Sequence, residues 1–177
     1  YGGPVTVKLI NWYVIFFTNT PGLVTAFFIF FGLPEFGILL SPYHTILLNI
    51  ALNSGAYMTE IMRGGFVSVH KTELEAAETM GFTLLQQLRY VIVPHIAKVL
   101  FAPLSNWYIW MILGTAMAAI FGVEELTGRV FNRAAETFRS IELYTIAAGM
   151  YVAITILASS ILVVIGRWAF RVKVKVF

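Results

Sequence analysis

Four stretches of this 177-residue chain carry no charged side chain: those between Lys8 and Glu35, Glu35 and Glu60, Lys98 and Glu124, and Glu142 and Arg167. Each is 24 to 26 residues long. A helix needs about 20 apolar residues to cross about 30 Å of hydrocarbon, so four membrane spans fit the pattern. Backbone in lipid must be helical or close into a barrel, and nothing here alternates with period two. Hydrophobic residues make up 59% of the chain, charged residues only 12%, and Asp is absent. Soluble domains run near 45–50% apolar and about 25% charged, so the composition also points to a bilayer. The expected fold class is an all-α polytopic membrane protein, with residues 1–177 forming one transmembrane domain.

Other classes drop out on chemistry. With no Cys there is no disulfide, thiolate metal site or thiol nucleophile. His44, His70 and His95 are dispersed and match no zinc spacing. No phosphate-loop sequence is present and no catalytic constellation of Ser, His and acid is placed, so the chain is not expected to be an enzyme. A net charge of +3 fits basic loops on one side of a membrane, not nucleic-acid binding. The chain begins with Tyr1 and not Met, so part of the N-terminus, with any signal or first span it holds, is expected to lie ahead of the sequence.

The first charge-free stretch is interrupted by "FTNTPG" (Phe17 to Gly22). An interfacial segment is expected up to Phe17, then a span from Thr20 to Leu33. The second span is expected from Tyr43 to Met62. Pro94, Pro103 and Gly114 predict a kinked or broken third span. The fourth runs from Tyr144 to Gly166. The tail "RWAFRVKVKVF" carries Arg167, Arg171, Lys173 and Lys175 without an acid, which places the C-terminus in the cytoplasm. Counting back, residues 63 to 90 lie inside and residues 124 to 142 outside.

One cytoplasmic segment is unlike the rest. "KTELEAAETMG" (Lys71 to Gly81) reads as a short polar helix. Thr72 and Glu75 have capping-box spacing. Glu73, Glu75 and Glu78 bring negative charge toward the helix start, and Gly81 is the natural stop. Leu74, Ala77 and Met80 offer a small apolar face. So short a helix is marginal alone in water, so something must hold it: its own protein or a partner.

The stretch "EAAETMG" followed by "VIVP" (Glu75, Ala76, Ala77, Gly81, Ile92, Pro94) resembles the EAA motif of ABC-importer permeases. "LNSGAYMTEIMRGGFVSV", "LSNWYIW", "IFGVEELTGRV" and "TPGLVTAFFIFFGLP" are similar to the polar-amino-acid branch, the histidine, glutamine and arginine permeases. The resemblance covers nearly the whole chain. It implies a type I importer fold in the bacterial cytoplasmic membrane. In that family the short helix is a coupling helix that docks on an ATPase subunit. Thr72, Glu75, Ala76, Ala77, Gly81 and Pro94 would then serve coupling, with Glu75 the polar contact, Ala76 and Ala77 the close-packing surface and Gly81 the turn. The implied partners are an ATPase dimer that binds ATP and Mg, a second permease and an extracytoplasmic binding protein. The substrates implied are polar amino acids or related compounds such as opines. This chain itself would hold no cofactor.

Polar residues within spans face a cavity or another helix. Asn49, Asn53 and Tyr57 fall four apart on one face, and Asn106 and Thr115 lie on the third span. All five are candidates for the substrate path, with interhelical hydrogen bonding as the other reading. The sequence departs from the family at two places. "TNTP" stands where many relatives have Arg-Gly-Thr-Pro. Leu113, Gly114, Thr115, Ala116 and Met117 stand where many have Lys-Asp-Thr-Ser-Leu. Without that carboxylate, either the substrate is less basic or a different partner permease carries the recognition, which suggests a heterodimer; a homodimer is the other arrangement. A secondary carrier is the alternative function, but such carriers usually show inverted repeats, and none is visible here.

Overall fold

The computed structural model describes residues 3–170, and every regular element among them is helical. Helix α1 (Pro4–Asn19) ends at the TNTPG break. Helix α2 (Gly22–Phe27) continues through a π turn (Phe28–Gly32) into a 3₁₀ turn (Leu33–Phe36). Then follow α3 (Pro42–Val67), α4 (Lys71–Thr79) and the single turn α5 (Leu84–Gln87). A second π turn (Leu88–Ile92) leads into α6 (Val93–Gly114), which tightens to 3₁₀ over Thr115–Phe121. Helix α7 (Leu126–Thr137) and the long α8 (Ser140–Phe170) complete the chain. The basic residues Arg171, Lys173 and Lys175, which carried the orientation argument, lie outside the described residues.

Two helical stretches are long and apolar enough to cross a membrane, Leu84–Phe121 and Ser140–Trp168. A third would be the pair Pro4–Asn19 and Gly22–Phe36, bent by 106°, if the two halves act as one broken span. This differs from the four expected spans in two ways. The stretch expected to cross from Thr20 to Leu33 is only the second arm of that bent pair, and about 22 Å of helix is too short for the hydrocarbon by itself. Helix α3 has the length, but Asn49, Asn53, Ser54, Glu60 and Arg63 make it less apolar than α6 or α8. The third span, expected to be kinked or broken, is not broken. The helix runs continuously through Pro94 and Pro103. Proline lacks the N–H that would bond four residues back, and the π turn directly before Pro94 absorbs that mismatch.

The bend between α1 and α2 follows from local chemistry. The side chains of Thr18, Asn19 and Thr20 donate back to the carbonyls of Val14, Ile15 and Phe16 at 2.7, 2.8 and 2.7 Å. Such bonds from a side chain to the carbonyl one turn back tend to bend a helix. Thr20 is then extended, and Pro21 starts the next helix.

The described residues fall into two compact units, 3–57 with 109–157, and 58–108 with 158–170. In the first, Ala26, Ile46, Ala118 and Phe121 form the core. Phe121 receives the rings of Phe27 and Phe30 at 5.0 and 5.3 Å, while Phe28 and Phe31 point outward. In the second, buried Leu100 and Phe101 of α6 fill two glycine notches. A β-carbon at Gly65 would come within 2.6 Å of Leu100, and one at Gly166 within 2.5 Å of Phe101. Small residues that permit close helix approach suit a bilayer, where lipid tails remove the usual hydrophobic drive.

Candidate functional site

The polar face of α3 is a seam. Asn49 is 1% exposed and Thr25 is 5% exposed. The Asn49 amide donates to the Gly22 carbonyl at 3.0 Å, and its Oδ1 accepts from the Thr25 hydroxyl at 2.5 Å. Asn53 donates to Thr25 Oγ1, to Asn49 Oδ1 and to the Asn49 carbonyl at 3.2, 3.1 and 3.0 Å. The Tyr57 hydroxyl points to the Thr18 carbonyl at 3.4 Å. Two residues on from Asn53, Gly55 faces the hydroxyl of Tyr13, which donates to the Leu52 carbonyl at 2.6 Å. The structure thus joins Asn49, Asn53 and Tyr57 to α1 and α2, at the TNTPG break. Asn49 is enclosed, with both ends of its amide engaged. Thr25 and Tyr13 complete the seam; sequence reasoning missed both. Of the other candidates, Asn106 is exposed on α6, and Thr115 is exposed with its hydroxyl on the Ile112 carbonyl.

The short polar helix exists, but it starts earlier than its sequence suggests. Its N-cap is His70, which supplies no side-chain cap. Thr72 therefore sits inside the first turn and Glu75 in the second, so the expected capping box between them does not form. The box lies one element later: Thr83 accepts from the Gln86 amide, and the Gln86 side chain accepts from the Thr83 amide at 2.8 Å. The same spacing stands in the sequence as "TLLQ" and would have revealed it. Glu73 alone occupies the first turn of α4. Glu78 is near the C-terminal end, where the helix dipole disfavours it, so dipole compensation does not explain that residue.

The expected stop at Gly81 is present. Its φ is +77°, Gly81 N–H donates to the Glu78 carbonyl at 2.8 Å, and Phe82 N–H donates to the Ala77 carbonyl at 3.0 Å. This doubly bonded end requires a left-handed residue, which glycine adopts without strain. Ala77 is fully buried and Leu74 half-buried, so α4 is held by its own chain, on α5 and the following π turn. The expected pairing of Ala76 with Ala77 as one close-packing surface is corrected accordingly, and Met80 does not share one buried face with Leu74 and Ala77. Ala77 faces inward. Glu75, Ala76, Glu78 and Met80 are exposed, and Leu84 and Leu85 of α5 are exposed as well. The helix presents acids, one small residue and a few apolar side chains, a surface suited to protein and not to lipid tails. Pro94 is exposed at the start of α6.

The stretch "IFGVEELTGRV" has a structural role that sequence reasoning did not find. Glu125 caps α7 by accepting from Gly128 N–H at 2.7 Å, and its other oxygen accepts from the Tyr151 hydroxyl at 2.9 Å. Tyr151 also meets Thr127 Oγ1 at 2.8 Å. Among the described residues, no group of three or more His, Cys, Asp or Glu is placed to hold a metal.

Known proteins share this arrangement. The glutamine transport system permease protein GlnP of Escherichia coli (strain K12) is 34% identical over 164 residues, covering 92% of this chain and 75% of its own length. The octopine transport system permease protein OccM of Rhizobium meliloti is 30% identical over 176 residues, 93% of this chain and 72% of its own. A crystal structure of an amino acid ABC transporter with histidines superposes with a TM-score of 0.85 at 31% identity, covering 94% of this chain and 78% of that one. The match to the description "binding-protein-dependent transport system inner membrane component" runs over residues 1–173. With bent, seamed helices and a rigid polar helix between α3 and α6, on a sequence that matches over nearly its whole length, the chain belongs to that family of ABC transporter permeases.

Proposed function

We propose that the chain is one permease subunit of an ATP-driven importer for polar amino acids or opines, in which α4 is the coupling helix. The observation that carries this reading is the build of α4. It is a nine-residue helix, closed at Gly81, anchored through Ala77, and open to a partner along Glu75, Ala76 and Glu78. A short helix held rigidly at one face and exposed at the other can pass on a push without bending. Two ATPase subunits would bind ATP and Mg and close on α4. A second permease would complete the pathway, which opens alternately to each side by rigid-body rocking. An extracytoplasmic binding protein would deliver the substrate. The seam around Asn49 is proposed as part of the moving body, and Asn53, Tyr57, Asn106 and Thr115 each as a polar group of the substrate path. The substrate class comes from the relatives, whose names include glutamine and octopine transport systems.

The test is copurification from native membranes in detergent, followed by ATPase assay with candidate binding proteins. An ATPase that copurifies and is stimulated by one loaded binding protein is the expected result. Ala76→Trp, which adds a large ring on the exposed face, is expected to release the ATPase while the permease remains folded. A chain that purifies alone and moves substrate into vesicles without ATP would overturn the proposal in favour of a carrier.

A further inference from the structure

Between α4, the end of α3 and the start of α6 stands one side chain with no part in docking. His95, on the first turn of α6, is three-quarters buried by its side chain. Its Nδ1 lies 3.5 Å from Glu73 Oε2 on α4. Its Nε2 lies 3.3 Å from Ser68 Oγ, just past the end of α3. The Ser68 hydroxyl also sits 2.7 Å from the Gly65 carbonyl, so its one proton has a closer acceptor. With that proton placed on Gly65, Ser68 can only accept from the ring. Ionised Glu73 can only accept as well. Both ring nitrogens then face acceptors, and a neutral imidazole can donate to one of them but not both.

We propose that His95 is a positioning residue for coupling: its imidazolium ties α4, through Glu73, to the end of α3, through Ser68, so that movement of α4 is delivered to α3 and α6 together. This rests on α4 being the element that meets the ATPase. Glu73 is the charged group within ion-pair distance of the ring. The other ionisable groups on the neighbouring segments, His70, Lys71, Glu75, Glu78, Arg89, Tyr90 and Lys98, are all exposed. The sign is set by the ring. The tie is complete with both ring nitrogens protonated and loses one arm when either proton leaves.

The experiment uses the assembled transporter in proteoliposomes and reads substrate moved per ATP hydrolysed, at about pH 6 and about pH 8 on the ATPase side. In the wild type the ratio is expected to fall about two- to fivefold between the two, the range of a partly exposed ion pair. His95→Lys keeps a charge across that window and is expected to give a ratio that does not change with pH. His95→Ala is expected to be low at both. A purely structural role for this position would not give His95→Lys and the wild type different pH profiles. Identical profiles for those two, or a full wild-type ratio in His95→Ala at the lower pH, would overturn the proposal. If His95→Ala fails to assemble, the His95→Lys comparison decides alone. Ala76→Trp separates this idea from the docking assignment. If it releases the ATPase while the His95 series is flat, only the tie is wrong. If it leaves the ATPase bound and active, the docking assignment itself fails, and the tie with it.

Discussion

Helices α3 and α8 are the two longest, at 26 and 31 residues, and they specify their neighbours by opposite means. Along α8, Val152, Leu157, Ile161 and Val164 are all exposed, and the points where it is buried are small residues, Ala147 and Gly166. Along α3 the buried positions include Asn49 and Ala56, and the contacts include hydrogen bonds and a glycine facing a tyrosine hydroxyl. An apolar side chain in a bilayer gains little by choosing a helix over a lipid tail. Partners are therefore chosen by whatever lipid cannot supply: a hydrogen-bonding group, or the absence of a side chain. Helix α3 uses mainly the first and α8 mainly the second.

The largest expected effect is at the centre of the seam. Asn49→Leu removes the donor to Gly22 and the acceptor of Thr25, a loss of about 1–3 kcal/mol. The bulkier leucine in a closed site adds about 1–3 kcal/mol of overpacking. The melting temperature in detergent should fall sharply, and transport with it. A variant that melts like the wild type but changes its substrate preference would place Asn49 on the path and not in the frame.

Gly166→Leu tests the notch of α8 in the same way. Its β-carbon would meet the Phe101 ring at 2.5 Å, and a ring flanked by packed helices cannot simply swing aside. A cost of about 1–3 kcal/mol is expected, again as a lower melting temperature. Phe101→Ala in the same chain should recover part of it by opening the space. If the pair is no better than Gly166→Leu alone, the close approach at this site is not what holds α8.

Tyr151→Phe addresses the one polar tie that α8 makes to the cap of α7. The change removes the hydroxyl that Glu125 accepts from and that meets Thr127. The expected loss is smaller, about 1 kcal/mol, because Glu125 keeps its bond from Gly128 N–H. Greater proteolysis near α7 would show it first. An unchanged digestion pattern and melting temperature would mean that Gly128 N–H alone fixes the cap.

The contrast between the two helices also decides what could be read from the sequence. Long apolar stretches announce themselves by missing charges, and α8 was visible from Glu142 and Arg167 alone. Helix α4 was visible from its composition and from Gly81. Its start was misplaced because Thr72 has the right residue type and spacing for a cap, while the actual cap position, His70, contributes no side chain. Asn49, Asn53 and Tyr57 were correctly put on one face. Whether that face meets a solute or a carbonyl depends on Gly22, 27 residues away in sequence. No local pattern encodes that contact. The same holds for His95, whose partners Glu73 and Ser68 come from two other segments. A periodicity shows that a polar face exists, and only the fold shows what it meets.

The smallest effect expected is on the outward face of α8. Val164 is 65% exposed, and lipid tails can replace its contacts almost fully. Val164→Ala should shift stability by less than about 0.5 kcal/mol, the usual limit for surface changes away from caps and seams. The isolated chain and the assembled transporter should agree on this if lipid covers the face in both. A loss above about 1 kcal/mol that appears only in the assembled transporter would mean that another protein covers α8 there. In that case an apolar face of this chain does choose its neighbour, and the distinction drawn between α3 and α8 would hold for the single subunit only.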